Sequence, residues 1–276
     1  MSFDITQRNL KPFYLILTVG GQVLFSNLFT TLIQTITKPY FLIPMIIISL
    51  ISGGINFSAG WVLERPTIDF VLYYDSLPSD NLLGILVSNY PTELAAMIVI
   101  GFIMSIIGFI ALTSVARLTN KEKFVDAIND SIKEWKKSLA LTVVCIAGLI
   151  IFGGAFSLAM SLTPISELLS NLIVLIIAII LFVVLIKITF LIPALIQKDF
   201  KKAFQETWKY TDKRFWKSVV LVLFTSIISV AGMIIISQIG AFAPAELEII
   251  FFIIGEAFAS TYFVASITNY FYSKQK

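Results

Sequence analysis

Six runs of about 20 predominantly apolar residues constrain this chain most, since an α-helix needs that length to cross the hydrocarbon core of a bilayer. In hydrocarbon every backbone N–H and C=O group must bond within the protein, so each run is expected to be helical. The runs are residues 40–58, 94–116, 139–162, 171–196, 219–239 and 247–270. The sequence therefore predicts an all-α, polytopic integral membrane protein, a bundle of about six transmembrane helices.

The composition agrees with a membrane protein and excludes several kinds of site. Of the 276 residues, 58% are apolar and 13% charged, whereas a soluble domain has about 45–50% apolar and about 25% charged residues. The sequence has no histidine and a single cysteine, Cys145. It therefore encodes no histidine-based nucleophilic pair, no histidine-liganded metal and no internal disulfide. The net charge of +3 is too small to indicate nucleic-acid binding.

A seventh apolar stretch, residues 13–36, differs from the other six because glycines and polar residues interrupt it. This density of polar groups favours an interfacial or re-entrant helix over a lipid-facing span. The interrupting residues are Gly20, Gly21, Gln22, Ser26, Asn27, Thr30, Thr31 and Gln34. We therefore predict an N-terminal interfacial segment over residues 1–38, a transmembrane domain over 39–276, and a long outer loop over 60–92 within it.

The basic residues lie almost entirely on one side of this predicted bundle. If the N-terminus is cytoplasmic, 18 of the 20 lysine and arginine residues are inside, mainly in segments 117–137 and 198–217. Arg65 lies in the outer loop and Lys187 within the fourth run. Because cytoplasmic loops carry an excess of lysine and arginine, we predict a multi-pass cell-membrane protein with both termini in the cytoplasm.

Shifting the chain by 80 residues reveals an internal repeat. The two units cover about residues 94–162 and 171–240, and each consists of an apolar run, a basic segment and a second run. The matched pairs are Lys121 with Lys201, Phe124 with Phe204, Asp126 with Glu206, Ile128 with Trp208, Lys133 with Lys213, Trp135 with Phe215, Lys137 with Lys217 and Ser138 with Ser218.

Within both basic segments, apolar residues recur at helical spacing. They are Phe124, Ile128, Ile132 and Trp135 in the first unit, and Phe200, Ala203, Phe204, Trp208, Thr211 and Phe215 in the second. This pattern predicts cytoplasmic amphipathic helices that lie in the inner headgroup region. In the alternative interpretation they are ordinary connectors whose apolar faces pack on the ends of the bundle, and the sequence leaves both open.

The second unit resembles a recurring pattern in one group of membrane proteins. Its parts are the apolar run with Pro193-Ala194 over residues 190–196, then Ala203-Phe204, then the amphipathic segment 207–216 with its two tryptophans. The pattern is similar to the membrane domain associated with bacterial glycerophosphodiester phosphodiesterases and to related six-span bacterial and archaeal proteins. This chain departs from the pattern in one place: it has Gln197-Lys198-Asp199 where that group usually has a glutamate at an earlier position. The resemblance implies a shared membrane fold, whereas the soluble phosphodiesterase barrel has no counterpart here.

Two ionisable residues, Lys187 and Glu256, fall within the predicted spans. A lysine at the centre of a bilayer costs about 2.5–3.5 kcal/mol on insertion scales. We expect Lys187 either to line a cytoplasm-facing cavity that attracts an anion or to extend toward the headgroups. A direct Lys187–Glu256 ion pair is a further alternative, which needs helix tilt because helical rise separates the two residues by about 10 Å in depth.

Further residues are candidates for binding or for helix packing. The lipid- or anion-binding candidates are Lys187, Lys201, Lys202, Lys213 and Arg214. Small residues that let helices approach closely are Gly101 and Ser105, Gly153 and Gly154, and Gly255 and Ala259. Pro193 is predicted to kink the fourth span just beyond Lys187.

The sequence contains neither a P-loop nor a Gly-x-Ser-x-Gly elbow. We therefore expect a non-enzymatic membrane protein without metal or cofactor, acting by binding as a subunit or scaffold of a membrane complex or as a lipid-interacting module. Its expected partners are membrane lipids and other membrane-protein subunits, and not nucleic acid. The repeat and the intramembrane lysine and glutamate leave an alternative, a small secondary transporter or permease for an anionic or lipidic substrate.

Overall fold

The protein is all-helical in the computed structural model, which describes residues 21–52, 91–161 and 167–273 and places no strand among them. A 3-10 turn, Pro39–Phe41, separates the first two helices. The helices are α1 Gly21–Thr37, α2 Ile43–Ser52, α3 Pro91–Thr119, α4 Phe124–Lys133, α5 Trp135–Ser161, α6 Glu167–Thr189, α7 Leu191–Gln197, α8 Phe200–Lys213, α9 Phe215–Ala241 and α10 Ala245–Ser273.

Five helical segments in the described part of the chain are long and apolar enough to cross a membrane. They are α3, α5, α6 together with α7, α9 and α10. They correspond to the last five predicted runs. The first predicted run, residues 40–58, begins in the 3-10 turn and α2, but residues 53–58 lie outside the described residues. The predicted outer loop 60–92 also lies outside them, apart from Pro91 and Thr92, which begin α3.

Helix starts follow local signals in the sequence. α3 begins at Pro91 and has Glu93 in its first turn, and α10 begins directly after Pro244. Proline at the first helical position costs no hydrogen bond, and a carboxylate near the N-terminus meets the positive end of the helix dipole. These two starts agree with the predicted ones to within three residues.

Apolar side chains cover the outer surface of the bundle. In the middle of α5, three successive side chains, Leu149, Ile150 and Ile151, are 67–71% exposed. Soluble monomers rarely expose apolar patches of this extent, which supports a lipid environment. The buried core lies instead where α7 meets α10, and its largest fully buried side chains include Phe190, Tyr262 and Phe271.

The fourth span is broken close to Pro193. α6 ends at Thr189 and α7 begins at Leu191, because a proline has no N–H to bond the carbonyl four residues earlier. The carbonyls near this break bond to side chains, since Thr207 Oγ1 donates to Phe190 O (3.4 Å) and Tyr272 OH to Pro193 O (2.7 Å). The predicted kink is therefore present, and α8 and α10 supply the donors around it.

Glycines bring α9 and α10 together. A Cβ atom at Gly255 would lie 3.1 Å from Met233 O, and one at Gly240 would lie 2.5 Å from Phe251 Cβ. At Gly232 it would overlap the Phe258 ring. Such close approach is the main way in which helices associate in lipid.

The other predicted packing glycines lie elsewhere. Gly101, Gly153 and Gly154 are exposed, and apart from neighbouring residues and backbone of the same helix, no atom of the described chain lies within 4 Å of a Cβ built on any of them. Ser105 is also exposed and donates to the carbonyl of Gly101 in its own helix. At these four positions α3 and α5 turn outward, so the packing role stays a prediction for which the described chain supplies no partner helix.

Helix α1, the first in the described part of the chain, packs its polar side against α10. Asn269 Nδ2 donates to Thr31 Oγ1 (2.9 Å), and Tyr262 OH donates to Leu28 O (3.3 Å). On the opposite side, Phe29 and Ile36 are exposed. The polar residues that suggested an interfacial helix thus include residues that pack inside the bundle.

The short helices α4 and α8 connect long helices in the same way within each repeat unit. Ala203, Thr207 and Thr211 of α8 are buried against the bundle, and Phe204 stacks on Trp208 with ring centroids 5.0 Å apart. In α4, Ala127 and Ser131 are buried, whereas Ile132 is half exposed. Both helices therefore rest one face on the end of the bundle, as the connector interpretation expects.

Candidate functional site: a basic groove at one end of the bundle

Basic residues gather at the end of the bundle where α3 and α7 finish and α5 and α9 begin. α8 lies across this end, and between it, the start of α5 and the end of α7 there is an open groove of about 840 Å³. We call it the basic groove. Its lining is Glu134, Lys137, Ile196, Gln197, Lys198, Asp199, Lys202, Gln205, Glu206, Lys209, Tyr210, Lys213 and Arg214.

Two of the six cations in the basic groove are neutralised by the protein. Lys137 Nζ lies 3.0 Å from Glu134 Oε1 and donates to Leu195 O over 2.9 Å. It thereby bonds a carbonyl in the last turn of α7, where a cation is favoured by the helix dipole. Lys198 forms an ion pair with Glu206.

The other four cations make no ion pair within the described part of the chain. They are Lys202, Lys209, Lys213 and Arg214. The Arg214 guanidinium lies 5.2 Å from the centre of the Tyr210 ring, and its buried Nη1 atom has no acceptor among the described residues. The groove therefore presents four cations without an ion pair to an anion.

Tyr210 forms an uncharged part of the groove wall. Burial raises the pKa of the Tyr210 phenol above its ordinary value, the nearby Tyr270 adds to the rise, and Arg214 opposes it. The phenol therefore stays protonated at physiological pH. It adds no negative charge that would compete for the neighbouring cations.

Lys187 is buried beside α8 and does not line the basic groove. Its Nζ lies 2.5 Å from Asp212 Oδ1 and 4.0 Å from the centre of the Trp208 ring. The Lys187 side chain is 7% exposed and that of Asp212 57%. The lysine thus reaches the end of the bundle and pairs there with Asp212, a partner that the sequence alternatives did not name.

Glu256 and Lys201 lie apart from this site. Glu256 is on the exposed surface of α10, and the ion pair of Lys187 is with Asp212, so the two intramembrane residues do not meet. Lys201 is exposed and outside the groove lining. Of the five predicted binding candidates, Lys202, Lys213 and Arg214 come together in the groove.

Arg117 forms an ion cluster that the sequence analysis did not single out. It is 7% exposed, and its guanidinium bonds Glu134 (2.5 Å) and Glu122 (3.3 Å). Through Glu134 it is linked to Lys137 at the edge of the groove. One feature of the sequence could have indicated this ion cluster: a basic residue at the very end of an apolar run, followed by acidic residues in the connector.

An apolar cleft lies deeper in the bundle than the basic groove. It has a volume of about 410 Å³ and is lined by residues of α3, α5, α6, α7, α9 and α10. Leu141 and Ile192 line the cleft, and Lys137 and Ile196, one helical turn away along the same helices, line the groove. Because residues four apart share a helix face, the cleft lies below the groove on the same sides of α5 and α7.

Comparison of the chain with protein-family models, curated proteins and solved structures found no match. The resemblance to the phosphodiesterase-associated membrane domain therefore stays a prediction. Among the described residues, no group of three or more aspartate, glutamate or cysteine side chains is placed to hold a metal ion.

Proposed function

We propose that the chain is a non-enzymatic integral membrane protein that binds phosphate-bearing anionic lipid headgroups in the basic groove. The observation that carries this proposal is the set of four cations without an ion pair, Lys202, Lys209, Lys213 and Arg214. Lysine and arginine are the residues that bind phosphate oxygens, arginine with a planar pair of donors and lysine as a compact charge. Lipid headgroups supply such oxygens at the end of a membrane-spanning bundle.

The apolar cleft supports a lipid as the source of the anion. It lies one helical turn deeper than the groove, and Phe109, Leu185 and Phe263 are among the side chains that line it. A lipid whose phosphate lies in the groove has its acyl chains on the membrane side, next to this cleft. A free phosphate ion gains nothing from such a surface.

In this proposal the basic groove faces the cytoplasm and both ends of the chain are inside. The positive-inside distribution of lysine and arginine supports that orientation. In the Cys145→Ser background, cysteines introduced as Asp130→Cys and Lys201→Cys should react with an impermeant reagent only after cells are permeabilised. Labelling of either cysteine in intact cells would contradict the orientation.

The binding proposal is tested with the full chain in phosphatidylcholine nanodiscs that contain phosphatidic acid. Each lysine close to an anionic lipid surface contributes about 1 kcal/mol. Lys202→Gln with Lys213→Gln should therefore weaken phosphatidic acid binding about tenfold or more. Lys136→Gln with Lys201→Gln is the matched control, since it removes the same charge from exposed residues outside the groove.

Two further measurements complete the experiment, the melting temperatures of the variants and competition by inorganic phosphate. Melting temperatures of both double variants should equal that of the original chain, because all four lysines are exposed. Inorganic phosphate added as a competitor separates the two sources of the anion, since displacement of the lipid would identify the free ion as a ligand. Equal loss of binding in the two double variants would refute a specific site in the groove.

A further inference from the structure

A second polar cavity adjoins the basic groove. It has a volume of about 540 Å³ and lies between α1, the turn after α3, the end of α7 and the end of α10. We call it the amide pocket. Its lining is Asn27, Thr30, Gln34, Thr119, Asn120, Lys121, Gln197, Asn269, Tyr272 and Ser273. Gln197 also lines the groove, so the two cavities share a wall.

The two cavities differ in chemistry. Half of the residues that line the amide pocket carry a carboxamide, four carry a hydroxyl, and Lys121 supplies a charge without any acid beside it in the lining. A carboxamide both donates and accepts hydrogen bonds, and so does each hydroxyl of a polyol. The pocket is therefore matched to a neutral, hydroxyl-bearing group, whereas the groove is matched to an anion.

Some of these side chains hold the pocket wall in place, and others are available. Asn27 donates to Ser273 Oγ (3.4 Å) and Asn269 to Thr31 Oγ1 (2.9 Å), which ties α1 to α10. The amides of Asn120 and Gln197 are exposed and make no side-chain hydrogen bond to any described residue. These two are the amides that a ligand meets without displacing a bond within the protein.

Lys121 occupies a backbone position that ordinarily favours glycine. Its φ is 72°, and the flanking bonds from Lys121 N to Leu118 O (3.1 Å) and from Glu122 N to Arg117 O (3.3 Å) close the end of α3. This is the Schellman arrangement, in which the left-handed residue is most often glycine. A lysine with this φ on the wall of a pocket is a strained residue of the kind found at binding sites.

We propose that the two cavities together bind one phosphorylated polyol headgroup, with the phosphate in the basic groove and the hydroxyl groups in the amide pocket. This inference rests on the proposed function, because it places the phosphate in the same groove. Gln197 stands between the two parts of the ligand. Phosphatidylglycerol is the simplest membrane lipid with this chemistry.

The test compares two lipids of equal charge in nanodiscs with the full chain. Phosphatidylglycerol and phosphatidylpropanol carry the same phosphodiester, and only phosphatidylglycerol has the two headgroup hydroxyls. Since one hydrogen bond of ordinary strength changes an equilibrium about threefold to tenfold, phosphatidylglycerol should bind about tenfold more tightly. Soluble glycerol 1-phosphate added as a competitor shows whether the free headgroup suffices or the lipid is required.

Variants of the pocket then assign the preference. Asn120→Ala with Gln197→Ala should remove most of the preference for phosphatidylglycerol over phosphatidylpropanol. Asn120→Ala alone, which lies outside the groove lining, should reduce the preference and leave phosphatidylpropanol binding unchanged. Gln238→Ala, an exposed amide near the far end of α9, is the control and should keep the preference. Melting temperatures verify that all variants are folded.

The outcomes separate this inference from the function on which it rests. Equal binding of the two lipids by the original chain would overturn the polyol inference while leaving anionic lipid binding intact. Failure to bind either lipid would overturn both. A preference that survives Asn120→Ala with Gln197→Ala would place the hydroxyl groups elsewhere and also refute the inference.

Discussion

The two repeat units have the same order of helices but differ in whether the charged residues at the end of the bundle are paired. In the first unit, Arg117 is bonded to Glu122 and Glu134. The residues 80 positions later are Gln197, Lys202 and Arg214, and all three line the basic groove. One unit therefore neutralises its buried cation internally, whereas the other has lost both acids and gained two cations.

The same scaffold thus yields a closed ion cluster in one unit and the proposed anion site in the other. The connector segments reflect this, because residues 117–138 carry six basic and four acidic residues and residues 197–218 carry seven basic and three acidic ones. The two connectors differ little in net charge, but they differ strongly in where their charged residues lie. Under the proposed function, the pairing of the cations, more than the number of lysines, decides where an anion binds.

The units also differ in how their second long helix packs. α9 approaches α10 through Gly232 and Gly240, with Gly255 on the facing helix, while α5 turns Gly153 and Gly154 outward. The largest expected effect therefore comes from Gly255→Leu. It forces side-chain atoms against the Met233 carbonyl and should lower the free energy of unfolding by about 3 kcal/mol.

Thermal melting in detergent measures this loss. Gly154→Leu is the matched control, since open space surrounds that position, and it should leave the melting temperature unchanged or raise it. Equal destabilisation by the two substitutions would show that α5 packs as tightly as α9.

Transplanting the ion cluster of the first unit into the second should abolish the groove as an anion site. Gln197→Arg with Lys202→Glu and Arg214→Glu reproduces Arg117, Glu122 and Glu134 at the equivalent positions. Anionic lipid binding in nanodiscs should fall about 30-fold, which corresponds to about 2 kcal/mol. Retained binding would mean that Lys209 and Lys213 alone hold the headgroup.

The converse change opens the ion cluster of the first unit. Arg117→Met removes a buried guanidinium that bonds two carboxylates, so the protein should lose about 1–2 kcal/mol of stability because charged hydrogen bonds are lost. Lys133→Met, whose partner Asp130 is exposed, is the control and should cost less than about 0.5 kcal/mol. Urea or thermal unfolding of the two variants compares them directly. Similar losses of stability would show that the Arg117 cluster stabilises the protein no more than an exposed ion pair does.

The smallest effect is expected at Lys187, whose ion pair exists only in the second unit. Because Asp212 is largely exposed, Lys187→Met should change stability by less than about 1 kcal/mol. The residues at the equivalent first-unit positions are Ile107 and Ile132. Lys187→Ile with Asp212→Ile should therefore be tolerated, and thermal melting checks it. A large loss relieved by Glu256→Gln would instead support a Lys187–Glu256 pair.

Local features of the sequence predicted the helices well. The apolar runs located the five long helical segments to within about four residues, since helix length in a bilayer follows from its thickness. Pro193 marked the break between α6 and α7, and Pro91 and Pro244 marked two helix starts. Each of these signals depends only on the segment that contains it, so the helices could be predicted without knowing how neighbouring helices pack.

The sequence by itself determined which segments are helices and which end of the bundle is basic, because apolar length, prolines and lysine placement are properties of single segments. The tertiary structure decided which polar groups meet. Long helices that are apolar all round have no preferred inner face, so nothing in α6 or α10 indicates that Lys187 lies beside Asp212 and Glu256 on the outside. Those contacts depend on how each helix is rotated and placed against its neighbours, which only the packed bundle specifies.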